Sequence, residues 1–143
     1  MDRKSVVLAA LAPAVGGAHS PVQVQKLLFL IDREIPKFVG GPLFDFQPYD
    51  YGPFDREVYA VLEELTRSGM VEVQAAPGLR WRRYRLTDAG QQEGDKALAS
   101  LDRRASDYVK KLSKVVRSLS FEDLVSAVYK AYPDMKVNSV FKG

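Results

Sequence analysis

The segment Gly41–Tyr59, G-P-L-F-D-F-Q-P-Y-D-Y-G-P-F-D-R-E-V-Y, constrains the fold more than any other stretch. Phe44, Phe46, Tyr49, Tyr51, Phe54 and Tyr59 concentrate aromatic surface in it. Pro42, Pro48 and Pro53 keep it from being a helix, because each lacks a backbone N–H and biases the residue before it toward extended geometry. A stiff, ring-rich connector of this kind has to lie in a hydrophobic cleft. Strong helical patterns flank it, so it is expected to fasten them together.

Upstream, Ser20-Pro21-Val22-Gln23 is a helix start: Ser20 caps free amides, Pro21 fits the first turn, and Gln23 reaches back to the Ser20 amide. Val24, Leu27, Leu28 and Ile31 then form an apolar stripe, and the helix ends before Pro36. Gln25, Lys26 and Arg33 lie off that stripe. Before it, Val6, Val7, Ala10, Leu11 and Ala14 predict a first core helix ending near Val15, with Gly16-Gly17 as its stop. That reading is preferred over a secretory leader, which Asp2 and Pro13 fit poorly. No run is long enough to span a bilayer.

Downstream, a third helix is predicted to begin near Phe54 or Asp55, with Val58, Leu62 and Leu65 as its stripe and Gly69 as its stop. Two strands follow, Met70–Gln74 and Leu79–Thr87, joined by the turn Ala75-Ala76-Pro77-Gly78. Thr87-Asp88 opens a long helix through Leu98, Leu101, Ala105, Tyr108 and Leu112. Ser120-Phe121-Glu122-Asp123 caps another, which Tyr132-Pro133 ends. An extended tail is expected to hold Val137, Val140 and Phe141 against the core.

This order predicts a single domain over residues 1–143, α+β and mostly α. It is a winged-helix-like domain with a core over 1–90, a two-stranded hairpin wing and a C-terminal helical extension over 91–143.

The chemistry on offer is narrow. There is no cysteine and one histidine, His19, in a loop where it is expected to be solvated. The usual zinc sites and Ser-His or Cys-His nucleophile systems therefore lack their parts. No glycine loop has the context to cradle a phosphate. Asp45, Asp50 and Asp55 are read as turn and cap residues rather than as a carboxylate site. Neither an enzyme nor a cofactor is expected.

Charge is uneven. Up to Val71 there are seven bases against nine acids, and from Glu72 fourteen against nine. In the predicted hairpin, Arg80, Arg82, Arg83 and Arg85 interleave with Trp81 and Tyr84. Lys110 and Lys111 add charge on the later helix. Such a ribbon suits a phosphate backbone; equally, its arginines can stay in solvent or pair with acids such as Glu72. The helix before the wing carries Asp55, Glu57, Glu63 and Glu64, which disfavours major-groove reading.

Val24–Leu30 (V-Q-K-L-L-F-L), Gly41–Asp45 (G-P-L-F-D) and Tyr49–Tyr59 (Y-D-Y-G-P-F-D-R-E-V-Y) together resemble the Panacea or SocA-like antitoxin domain and its small prokaryotic relatives. The likeness is concentrated in residues 20 to 66. It implies a non-enzymatic, cytoplasmic helical module, antitoxin-like or defence-associated, that binds a protein partner such as a toxin. Leu27, Leu28, Phe44, Gly52, Pro53 and Tyr59 are expected to be scaffold. Gln25, Lys26, Asp50, Tyr51 and Arg56 are expected to face the partner. The alternative is a DNA-binding regulator that uses the arginine wing. Homodimerisation through the stripe Leu98–Leu112 is a further expectation.

Overall fold

The helix start at Ser20 forms as written. In the computed structural model, which describes residues 1–75, 77–78 and 82–141, Ser20 Oγ accepts from the Gln23 amide and Gln23 Oε1 from the Ser20 amide. These bonds satisfy donors that a helix N-terminus otherwise leaves unpaired. The helix they open, α2, runs Pro21–Glu34. It is preceded by α1 (Arg3–Leu11) and a two-residue strand β1 (Ala18–His19). After α2 come the short helix α3 (Pro36–Val39), strands β2 (Gln47–Tyr49) and β3 (Gly52–Phe54), and α4 (Arg56–Arg67). The wing is β4 (Val71–Gln74) and β5 (Arg83–Leu86). Three helices complete the chain: α5 (Asp88–Ala99), α6 (Arg103–Ser118) and α7 (Phe121–Ala131), with a 3-10 turn over Pro133–Lys136. The fold is α+β and mostly helical, in the winged-helix order of elements.

The sheet is antiparallel in the order β1-β5-β4. Glu72 stands opposite Arg85, Val73 opposite Tyr84, and His19 opposite Tyr84 on the other edge. β1 was not foreseen: two residues carry no periodicity, and the backbone pairing of β5 recruits them.

Helix α1 is the centre of the core. Every residue from Val6 to Leu11 is buried, not one stripe, because α2, α4, α5 and α6 all pack on it. It ends at Leu11, short of the expected Val15, which is exposed. Two glycines let α5 approach. A Cβ on Gly94 would stand 2.7 Å from the Leu8 carbonyl oxygen, and one on Gly90 would stand 1.9 Å from that of Met70.

The single long helix expected after Thr87 is two. The chain leaves α5 at Ser100, and the Asp102 carboxylate accepts from the Arg104 amide to restart it as α6. The tail also differs from expectation. Val137 and Val140 are exposed, and Met135 is the residue that enters the core. Among the described residues, no helix is long and apolar enough to cross a membrane.

Candidate recognition cleft

The Gly41–Tyr59 connector is fixed by polar side chains of α2, not by apolar contact alone. Gln25 Nε2 donates to the Asp55 carbonyl at 3.0 Å, and the Asp55 amide donates back to Gln25 Oε1 at 3.0 Å. Lys26 Nζ donates to the Pro53 carbonyl at 3.3 Å. Seven residues after Gln25, on the same helical face, the Asp32 carboxylate accepts from the Leu43 and Phe44 amides at 3.0 and 2.8 Å. Asp55 closes the set: its carboxylate accepts from the Asp45 amide at 2.8 Å and caps α4 through the Glu57 amide at 2.9 Å.

This corrects the expected exposure of Gln25 and Lys26, which are 1% and 2% exposed. They lie off the apolar stripe of α2, as the spacing required, but the connector folds over that side and covers them. Burial has a consequence for Lys26: desolvation brings its ammonium down from 10.5 to about 8. Asp32 is buried too, and desolvation pushes its carboxyl up against the opposing pull of the two amides.

Within the connector, β2 and β3 form a hairpin in which Pro48 faces Pro53. A proline cannot donate to a ladder, so this pair occupies a position without hydrogen bonds, flanked by Gln47 opposite Phe54 and Tyr49 opposite Gly52. Gly52 has φ +104°, and a Cβ there would stand 3.1 Å from the Tyr129 ring and 3.6 Å from Lys26 Nζ. Only glycine fits that turn without strain. From behind, the tail straps the hairpin. The Val140 amide donates to the Asp50 carbonyl and Asn138 Nδ2 to the Pro48 carbonyl, each at 3.0 Å.

The rings of the connector divide. Phe44 is buried and Phe46 stacks edge-on against Phe29 at 5.6 Å. Tyr49 and Tyr51 are exposed. Tyr49 packs on Phe54 at 5.0 Å, Phe54 on Tyr59 at 5.6 Å, and Tyr51 on Phe121 of α7 at 5.2 Å. Between these rings and the first turn of α2 opens a cleft of about 470 Å³, with Lys26 and Gln25 as its deepest members and Arg83 of the wing among its lining residues. Tyr59, expected in the core, is half-buried and forms part of this wall. Leu27 and Leu28 are buried on the core side of α2, and Pro53 is buried in β3.

The remaining expected site residues scatter. Asp50 and Tyr51 border the cleft, whereas Arg56 is exposed on the first turn of α4. Arg82 and Arg83 are exposed, but Arg85 is held across the sheet by Glu72 at 3.0 Å. Arg80 and Trp81 lie outside the described residues. Lys110 and Lys111 are exposed on α6, an element that packs on α1 and α2. The acids of α4 are partly neutralised from α1, with Arg3 at 3.7 Å from Glu57 and Lys4 at 3.3 Å from Glu64.

His19 is a second correction. It is 1% exposed on β1 rather than solvated, and neither ring nitrogen has a partner among the described residues. Burial, helped by the Arg117 guanidinium, brings it down from 6.5 to about 4, so it is a neutral core residue at physiological pH.

Compared with known proteins, the chain matches no family model and no curated protein.

Proposed function

We propose that this protein is a non-enzymatic binding module that recognises a protein partner through the cleft between α2, the β2–β3 hairpin and α7. The observation that carries this reading is the pairing of a rigidly braced hairpin with exposed rings. Tyr49 and Tyr51 stand out from a segment whose backbone is tied down by Gln25, Lys26, Asp32 and Asp55. Aromatic side chains on a fixed frame lose little conformational freedom on binding and are enriched where interfaces draw their affinity. The resemblance to Panacea or SocA-like antitoxin domains falls on the same segment. It makes a toxin or other subunit the natural partner and the cytoplasm of a prokaryote the natural setting.

The test is affinity purification of the tagged full chain with mass spectrometry, with and without nuclease, in parallel with Tyr51→Ala. A partner retained after nuclease and lost with Tyr51→Ala is the expected result. Recovery of no partner, or equal recovery with the variant, contradicts the reading.

One observation favours a second reading, as a DNA-binding regulator: Arg82 and Arg83 are exposed on the wing. Against it, α4 turns Glu57, Glu63 and Glu64 to solvent where a reading helix needs bases. Changing Arg82 and Arg83 to Ala should reduce the salt slope of duplex binding by about one per lost phosphate contact if that reading holds.

A further inference from the structure

The lining of the cleft carries positive charge. The Lys26 ammonium has three N–H donors and, among the described residues, one protein acceptor, the Pro53 carbonyl. The first turn of α2 lines the same cleft and brings the positive end of a fourteen-residue helix. Arg83 lines it as well, and Asp50 is the single acid among the lining residues. The other walls are rings, chiefly Tyr51, Phe54 and Phe121. A complementary occupant joins an anion to an apolar body.

Size narrows the choice. About 470 Å³ lies in the roughly 300–1,000 Å³ range of sites that enclose small ligands. A helix, about 10–12 Å across with its side chains, does not enter it. The end of a polypeptide does, and it carries both features in one residue, because carboxylate and side chain diverge from the same Cα. Building on the reading of the protein as a protein-binding module, the geometry points to a cleft that captures the free C-terminus of the partner chain. The terminal carboxylate lies on Lys26 and the last apolar side chain lies among Tyr51, Phe54 and Phe121. A carboxylate there also offsets the cost of burying an otherwise unpaired cation.

The experiment uses the full-length protein and an array of hexapeptides ending in each of the twenty amino acids, made once with free C-termini and once C-terminally amidated. Free acids with large apolar last residues should bind at least tenfold more tightly than their amides. Lys26→Met and Tyr51→Ala, each checked for folding by thermal melting, should each weaken the best peptide at least tenfold. Should Lys26→Met not fold, nitrogen NMR of the wild-type Lys26 ammonium decides, since the bound peptide acid must raise its pKa above about 8. Equal binding of acids and amides, or no binding by any peptide, overturns the inference. Binding of 3-phenylpropionate as tight as that of the best peptide overturns the polypeptide source and leaves a small carboxylate. If the peptides fail while Tyr51→Ala still abolishes capture of a partner protein, only this inference falls. If no partner is captured at all, the protein-binding reading falls with it.

Discussion

At the scale of single residues, Lys26 and His19 are both bases whose burial favours the neutral form, and each leaves a signature in the pH dependence of stability. The unfolded chain binds a proton on Lys26 up to its ordinary 10.5, the folded protein only up to about 8. Between those values the unfolded state holds more protons, so stability rises with pH across the window. The difference corresponds to roughly 3 kcal/mol at neutral pH, against which about 1 kcal/mol is lost if the Pro53 carbonyl is orphaned. Lys26→Met should therefore stabilise the protein at pH 7 by about 2 kcal/mol and remove the rise above pH 8 in urea titrations. A loss of stability instead would mean that the ammonium is a net structural support. His19 acts on the acid side by the same rule: stability is complete above 6.5 and falls as pH drops toward about 4. Because neither ring nitrogen has a partner among the described residues, an apolar replacement gives up no hydrogen bond there. His19→Leu should leave the neutral-pH melting temperature within a few degrees and flatten the decline between pH 6.5 and 4. Gln25→Ala does the opposite kind of damage, leaving the buried Asp55 N–H unpaired and its C=O with the Val58 amide alone. We expect it to cost at least about 2 kcal/mol in denaturant unfolding.

At the scale of elements, the packing of α5 rests on glycines, Gly94 against Leu8 of α1 and Gly90 against the Met70 carbonyl ahead of β4, and this is testable. Gly94→Ala forces a methyl to within 2.9 Å of the Ala12 Cβ and 2.7 Å of a backbone oxygen, which must move α5 outward. A loss of about 1–3 kcal/mol is expected by thermal or urea unfolding. Gly90→Ala should exceed it, since its Cβ would overlap the Met70 carbonyl. Unchanged stability in either variant would contradict the close approach. Capped and striped helices were legible in the sequence: Ser20 for α2, Asp55 for α4, Thr87 for α5 and Ser120 for α7 all serve as N-caps. What periodicity could not reveal depends on partners distant in sequence. The hairpin of Gln47–Tyr49 and Gly52–Phe54 is built around facing prolines, which locally argue against strands. Gln25 and Lys26 read as an exposed side, and Asp32 drew no reading, because polarity along α2 says nothing of a connector that folds back over it. Asp102 divides one apparent helical stripe into two, since Leu98 and Ala105 both reach the core on either side of the break. The cleft was legible only in part: its rings and Gly52 stood out, and its buried amine did not.

At the scale of the whole molecule, α1 is the hub for the helices and α2 is the bracket for the connector. One face of α2 fills the core with Val24, Leu27, Leu28 and Ile31, while Gln25, Lys26 and Asp32 grip the connector on the other. The winged-helix order is thereby joined to a second, ring-lined feature that a bare winged helix does not need. Fold alone assigns no use; the proposed binding role rests on the braced cleft rather than on the winged-helix order. Its rigidity is the claim on which the functional proposals depend. Native-state hydrogen exchange of the free protein, resolved at the Leu43, Phe44, Asp45 and Asp55 amides, tests it most directly. These amides should exchange with opening free energies close to those of α2, and Asp32→Asn should lower protection at Leu43 and Phe44 first. Exchange at the rate of an open loop in the wild type would show that the connector is not held, and would contradict the account.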